Sequence, residues 1–237
     1  MAKTLTIGKG EVGTALHEVL SDFHECYIKD VEPLEVSDVQ VMNICFPYSE
    51  NFCSQVEEYQ RMYQPKVTII HSTVPVGTSR KLNALHSPVH GKHPNLAPGI
   101  RTFKKYLGGA DQTMVKYVAR YYRAARLRYK IVSSPEASEL SKICCTTRLG
   151  WDVVFMKWVE ELSEKYRVPF DEVYGWVKYY NIGYRTLNMT KYTRPMLSPI
   201  PGKIAGHCVI PNCRMLPDEE IPQFILRKND QYTETAS

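Results

Sequence analysis

Short apolar runs alternate with amphipathic stretches through the first half of the chain. Residues 3–7, 25–30, 39–45 and 66–71 are rich in Val, Ile, Thr, Tyr and Cys, and each has the length of a buried strand. Apolar positions recur at helical spacing in 11–22 and 50–63. This alternation predicts a parallel sheet with helices on its faces, an α/β fold. The link from Asp30 to Asp38 is too short for a crossover helix, so the first half of the sheet is expected to be trimmed. A helix is predicted at 77–86, strands near 86–89, 105–109 and 128–133, and a helix near 112–125.

The pattern then changes. Leu140, Cys144, Trp151, Val154, Phe155, Trp158, Val159 and Leu162 fall at helical spacing, with Ser134-Pro135-Glu136 as a start signal and Val168-Pro169 as a stop. One helix over 135–166 is predicted, far beyond the mean of about 11–12 residues. Such a helix bridges two lobes or forms a subunit interface. Trp151 and Trp158, seven apart on one face, point to a homodimer, unless both pack inside their own chain. A second helix is expected near 170–180, loop over 181–217, and a frayed polar tail from about 227. The expected division is 1–133 for the sheet domain and 134–237 for a helical domain. No internal repeat is visible.

The most informative local feature is Gly8-x-Gly10-x-x-Gly13, placed between the first strand and the first helix. Gly8 permits a tight turn, Gly10 permits close approach of a pyrophosphate, and Gly13 permits close helix–strand packing. Lys9, Glu11 and Val12 complete the loop. Asp30 ends the second strand 17 positions after Gly13. A carboxylate there accepts hydrogen bonds from the ribose hydroxyls of NAD and repels the 2′-phosphate of NADP. The competing reading is a structural glycine turn in an unrelated α/β domain. Ser72 and Thr73 stand at the carboxyl end of a predicted strand, where open α/β sheets bind ligands, or they simply cap the next helix.

Composition narrows the classes. With 43% hydrophobic and 23% charged residues the 237-residue chain is globular, as one large or two small domains. No apolar run approaches the roughly 20 residues of a membrane span, and the N-terminus enters a strand at once, leaving no signal peptide in view. Seven cysteines form no disulfide framework, and Cys144-Cys145 are adjacent on a helix and cannot easily pair. Reduced thiols in the cytoplasm are expected. His207, Cys208 and Cys213 fall short of a zinc ligand set, so no metal is expected. The net charge is +5, and the basic run Arg120–Lys130, interleaved with tyrosines, reads as the solvated face of a helix rather than a nucleic-acid site.

Five segments, in order, resemble the UDP-glucose/GDP-mannose dehydrogenase family. They are the glycine loop; Val41–Pro47, like the family strand ending in Pro near the cofactor; Ile69–Thr78, like the "ST-x-x-x-GT" segment; Glu139-Leu-Ser-Lys142 opening the long helix; and Pro201–Pro211, like the "PG-x-x-GGHC-I" loop of the UDP-N-acetyl-hexosamine subgroup. The resemblance covers about residues 1–215. It implies a Rossmann-like NAD-binding domain followed by a helical, 6-phosphogluconate dehydrogenase-like domain. It also implies oxidation of a sugar-nucleotide alcohol to an acid with NAD, and Phe46, Pro47, Ser72 and Thr73 near the cofactor. Cys208 matches the nucleophile that traps the aldehyde as a thiohemiacetal and carries the thioester, chemistry suited to a thiolate that is also a good leaving group. His207 is placed to lower its pKa. Lys142 matches the lysine that stabilises the alkoxide, and Thr73 lines a catalytic water.

The chain also departs from that family. Thr146 stands where the family has an oxyanion-binding Asn, and Asn212 where it has an Asp. Neither Ser87-Pro-Val89 nor His93-Pro-Asn95-Leu96 supplies the Glu of the "SPE-x-L" segment. Only 24 residues follow Cys213, so the third domain that holds the uridine diphosphate is expected to be missing. Ser87-Pro-Val-His-Gly91 resembles β-hydroxyacid and prephenate dehydrogenases, with His90, Lys92, His93 and Arg101 as anchors for an acid, or a solvated loop. The substrate is therefore read as a nucleotide sugar or a small hydroxy acid. A catalytically silent NAD-binding relative is the third reading.

Overall fold

The structure is a computed structural model and describes residues 1–206 and 208–232. His207 lies outside the described residues. The chain divides into two compact units, Met1–Lys142 and Ile143–Ser237.

In the first unit β1 (Lys3–Ile7), β2 (Glu25–Lys29), β3 (Val41–Ile44), β4 (Val67–Ile70) and β5 (Leu85–His86) form one parallel sheet in the order β2-β1-β3-β4-β5. α1 (Glu11–Ser21) connects β1 to β2, and α2 (Phe52–Tyr63) connects β3 to β4. The side-chain period of two sends Leu5, Ile7, Met42, Ile44 and Ile70 to one face, against Phe52 and Val56 of α2. Val41, Ile69 and Leu85 go to the other, against Leu16, Val19 and Leu20 of α1. Both faces are covered, so the strands read as continuous apolar runs. Each fully buried Leu or Ile contributes about 1.5–3 kcal/mol.

No helix joins β2 to β3. An open cleft of about 790 Å³ lies there, lined by Val31, Leu34, Val36, Tyr59, Met62 and Tyr63. The predicted helix at 77–86 shrinks to α3 (Thr78–Lys81). Asn83, with φ 48°, turns the chain into β5 instead. α4 (Ala97–Thr102), β6 (Lys105–Leu107), α5 (Gln112–Ala124) and β7 (Tyr129–Ile131) complete the unit, with β6 and β7 paired in parallel. The basic run 120–130 is an amphipathic helix end: Tyr121, Tyr122 and Leu127 are buried while the arginines face out.

α6 (Pro135–Tyr166) has the predicted length, and Ser134 Oγ accepts the Ala137 N–H at its start (3.2 Å). Its buried apolar positions include Ile143, Val154, Met156 and Val159, whereas Trp151, Phe155 and Trp158 are 41, 40 and 46% exposed. In the second unit the expected single helix is two, α7 (Phe170–Tyr174) and α8 (Trp176–Thr186), and α9 (Val209–Cys213) interrupts the expected loop. Asn181 organises this region by donating to Arg194 O and accepting from Arg194 N–H, both at 2.8 Å. Of the tail expected to fray from about 227, residues 227–231 belong instead to α10 (Glu220–Gln231), and residues 233–237 lie outside the described residues. Ile225 packs with Val154, Val209 and Cys213, and Asn229 Oδ1 accepts the Ile204 N–H at 2.7 Å. Buried Pro222 and Ile225, with the buried Asn229 amide, outweigh the polar composition of that segment.

Candidate cofactor and catalytic site

The glycine loop follows from three different packing demands. Gly8 has φ +99°, and a Cβ there would lie 3.0 Å from Phe46 N. A Cβ on Gly13 would lie 1.8 Å from Gly8 O, so only glycine lets α1 approach β1. A Cβ on Gly10 would meet nothing within 4 Å. The protein's own packing does not require that glycine, and the vacant space lies at the N-terminus of α1, where free N–H groups and the helix dipole favour an anion. Asp30 Oδ1 is 3.4 Å from Lys9 N, so the exposed carboxylate at the end of β2 faces the loop. Glu11, in the first turn of α1, is paired with His93. Val12 is half-buried.

Across the carboxyl ends of β3, β4 and β5 runs a second set. Ser72 Oγ donates to Phe46 O at 2.6 Å, and Phe46 rests on the Phe52 ring, 5.0 Å between centroids. Pro47 is exposed and Thr73 half-buried. Glu139, fully buried on α6, accepts the N–H groups of Gly77 (2.6 Å) and Ser79 (2.7 Å), and burial pushes its carboxyl up. One turn after Glu136, which pairs with Arg80, this ties α6 to the segment after β4. Lys142 Nζ donates to Val89 O at 2.9 Å.

Beneath these residues is a buried polar cluster that the sequence reading missed. Lys105 donates to Ser87 O (2.9 Å) and Pro88 O (3.0 Å). His71 reaches Ser87 O (2.7 Å) and Asn43 Oδ1 (2.9 Å). His86 reaches Ser138 Oγ (2.9 Å) and Ser72 O (3.1 Å). Their only sequence signal is a histidine ending an apolar strand, twice, at Ile69-Ile70-His71 and Leu85-His86. Burial holds both imidazoles neutral, His71 well below its ordinary value and His86 down to about 3. Both folded pKa values lie below the unfolded value, so the stability that these groups confer at neutral pH is lost as pH falls. Two protons correspond to about 2.7 kcal/mol per pH unit in that window. Thermal melts from pH 6 to pH 4 should therefore fall steeply, and His86→Asn should roughly halve this slope; an unchanged slope in that variant would show that His86 is not buried neutral.

The second unit carries the remaining candidates. Asn212 Nδ2 donates to Thr146 Oγ1 at 3.0 Å, and Thr146 Oγ1 donates in turn to Ile143 O at 2.9 Å. Cys208 is half-buried at the start of α9, four residues before Asn212. The structure thus brings Thr146 and Asn212 together in the second unit. It groups Gly8–Gly13 with Asp30, and Phe46 with Ser72, in the first. Of the basic anchors considered for an acid substrate, Arg101 is engaged by Glu18 at 3.0 Å and His93 by Glu11. Among the described residues no group of three or more His, Cys, Asp or Glu could hold a metal. No helix among them is long and apolar enough to cross a membrane.

No family model and no curated protein matches the chain by sequence. Solved structures do match its fold. UDP-D-ManNAc dehydrogenase from Pyrococcus horikoshii superposes with a TM-score of 0.77 at 13% identity, covering 97% of this chain and 68% of that one. GDP-mannose dehydrogenase from Pseudomonas aeruginosa gives a TM-score of 0.63 at 17% identity, covering 98% and 69%. A 3-hydroxyisobutyrate dehydrogenase from Mycobacterium tuberculosis gives 0.72 at 14% identity and covers 98% and 93%. The fold is that of these dehydrogenases, an α/β sheet domain followed by helices, as the sequence resemblance implied.

Proposed function

We propose that this chain is an NAD-dependent oxidoreductase acting on a CH–OH group, of the sugar-nucleotide dehydrogenase type. The observation that carries this is the open space at Gly10 facing the N-terminus of α1, beside the Asp30 carboxylate. The N–H groups of residues 9–12 would hold the pyrophosphate, and Asp30 the ribose hydroxyls; Phe46, Pro47, Ser72 and Thr73 would line the nicotinamide end. Bound NAD⁺ supplies a hydride acceptor. Lys142, anchored on Val89 O, would hold or take the hydroxyl proton of the substrate, and Thr146 with Asn212 would bind the developing oxyanion. Cys208 would attack the aldehyde carbon to form a thiohemiacetal, its hydride would pass to a second NAD⁺ to leave an acyl thioester, and water would hydrolyse that thioester to the acid and the free thiol.

Val89 in place of a carboxylate, and an amide at Asn212, favour a second reading: one oxidation of a small hydroxy acid, with Lys142 as the base and Cys208 idle. The 93% coverage of a hydroxy-acid dehydrogenase structure supports the same alternative. A silent cofactor-binding relative would bind NAD⁺ without turnover. The exposed Trp151, Phe155 and Trp158 on α6 support a homodimer, and seven cysteines whose spacing forms no disulfide framework go with a reducing, cytoplasmic setting.

Calorimetric titration of NAD⁺, then of UDP and UDP-sugars, tests the reading, with sedimentation of the same sample for twice 27.3 kDa. Binding of NAD⁺ and a UDP-sugar, followed by acid formation that Cys208→Ala abolishes without loss of NAD⁺ binding, is the expected result. Turnover that survives Cys208→Ala but not Lys142→Met selects the hydroxy-acid reading. Absence of NAD⁺ binding rejects the assignment.

A further inference from the structure

Lys105 is only 1% exposed, and its described partners, Ser87 O, Pro88 O and His71 Nδ1 (3.4 Å), carry no negative charge. His71 is 2% exposed, and both its ring nitrogens face acceptor oxygens, Ser87 O and Asn43 Oδ1. A neutral imidazole has one N–H and satisfies only one of them. With His71 neutral, its single N–H donates to Asn43 Oδ1, the Lys105 ammonium donates to Ser87 O and Pro88 O, and the His71 Nδ1 lone pair faces that ammonium. The geometry suits one positive charge, carried by the amine beside a neutral imidazole.

The surroundings agree. Burial, with a lesser contribution from the Lys142 charge, pulls the Lys105 amine down to about 7, and burial with the Lys105 charge pulls His71 down as well. The other titratable groups that face the pair remain neutral: burial raises the Cys45 thiol to about 12, raises the Tyr122 hydroxyl beyond its ordinary range, and lowers His86 to about 3 and His90 to about 4. The described residues therefore place no counter-ion beside the charge.

Its location in the chain gives it a task. His71 immediately precedes Ser72 and Thr73, and the carbonyls that Lys105 grips immediately precede Val89, which holds Lys142. These are the carboxyl ends of β4 and β5, where an open α/β sheet meets its ligand. We propose that the Lys105–His71 pair is a buried one-proton cation beneath the nicotinamide end of the site, and that it biases the protein toward the reduced cofactor. The inference rests on the reading of the chain as an NAD-binding protein. The oxidised nicotinamide ring is cationic and the reduced ring is neutral, so a nearby buried positive charge repels one and not the other. The pair is a positioning and electrostatic element, not a group that reacts.

The test is titration of NAD⁺ and NADH into the protein at pH 6 and pH 9, with the wild type and Lys105→Met. At an effective permittivity of about 20, one unit charge should favour NADH by about tenfold at pH 6. That preference should shrink severalfold at pH 9, where the pair has lost its proton, and should be absent at both pH values in Lys105→Met. The wild-type comparison stands alone if the variant does not fold. Equal affinities at pH 6, or a preference unchanged at pH 9, overturns the inference and leaves cofactor binding intact. Failure of both nucleotides to bind overturns the functional reading, and this inference with it.

Discussion

Gly13→Ala is expected to lower the melting temperature by about 6–12 °C or prevent folding of the first unit, while Gly10→Ala leaves the melting temperature unchanged. The added methyl group at position 13 would sit 1.8 Å from Gly8 O, a backbone atom that cannot swing aside. Relief requires α1 to move off β1, which opens the packing of Leu16 and Leu20, both fully buried. Overpacking of this kind costs about 3 kcal/mol or more, and each kcal/mol is worth about 2–4 °C in a chain of this size. At position 10 the methyl group meets nothing within 4 Å. Its cost should appear only when a pyrophosphate arrives, as a loss of at least about tenfold in NAD⁺ affinity. Differential scanning calorimetry and NAD⁺ titration of the two variants separate the roles. A stable Gly13→Ala would mean that the helix–strand approach is looser than described, and a Gly10→Ala that binds NAD⁺ normally would remove the pyrophosphate from that loop.

The second large effect concerns pH. Lys105 has its folded pKa at about 7, below its unfolded value of 10.5. The stability linked to it is fully present above the unfolded value and is lost as pH falls through the folded one. Stability should therefore rise from pH 7 toward pH 9, by about 1.4 kcal/mol per pH unit, or about 2–3 kcal/mol over that window. The rise should stop near pH 9, because Cys26 and Cys45 have thiols pushed up to about 12 by burial and favour unfolding once the unfolded chain ionises them. Lys105→Met should remove the rise. Urea denaturation at pH 7, 8 and 9 checks this. A wild type whose midpoint is flat across that range would mean that Lys105 keeps its proton in the folded state.

The parallel sheet was legible because β1, β3 and β4 are buried on both faces and leave unbroken apolar runs, and the glycine loop because its spacing is imposed by backbone geometry. α10 was not legible: its helical signal is only Pro222, Ile225 and Asn229, spaced for one face but set in a polar segment. The helix over 77–86 was read too long and the strand near 86–89 too late, because nothing local marks the left-handed Asn83 that ends α3 and starts the chain into β5. The cluster under the candidate site was least visible of all. Lys104-Lys105 reads as a solvated charge pair, and only partners 18 and 34 positions away, Ser87 and His71, bury one of the two. Local pattern reports which face a residue prefers; it does not report which distant carbonyls await a buried amine.

β2 is one edge of the sheet, because the chain passes from it to β3 on the far side of β1 and no strand lies beyond it. One side of its five-residue backbone faces no neighbouring strand, and such an edge is a template on which another chain can extend the sheet. The sequence answers this locally. Glu25 stands exposed at one end. At the other, the Lys29 ammonium folds over the carbonyls of Asp30, Val31 and Glu32 and curls the chain out of the strand direction. The charged ends and the early turn shorten the stretch that an intruding strand could follow, so the edge offers little seam for aggregation.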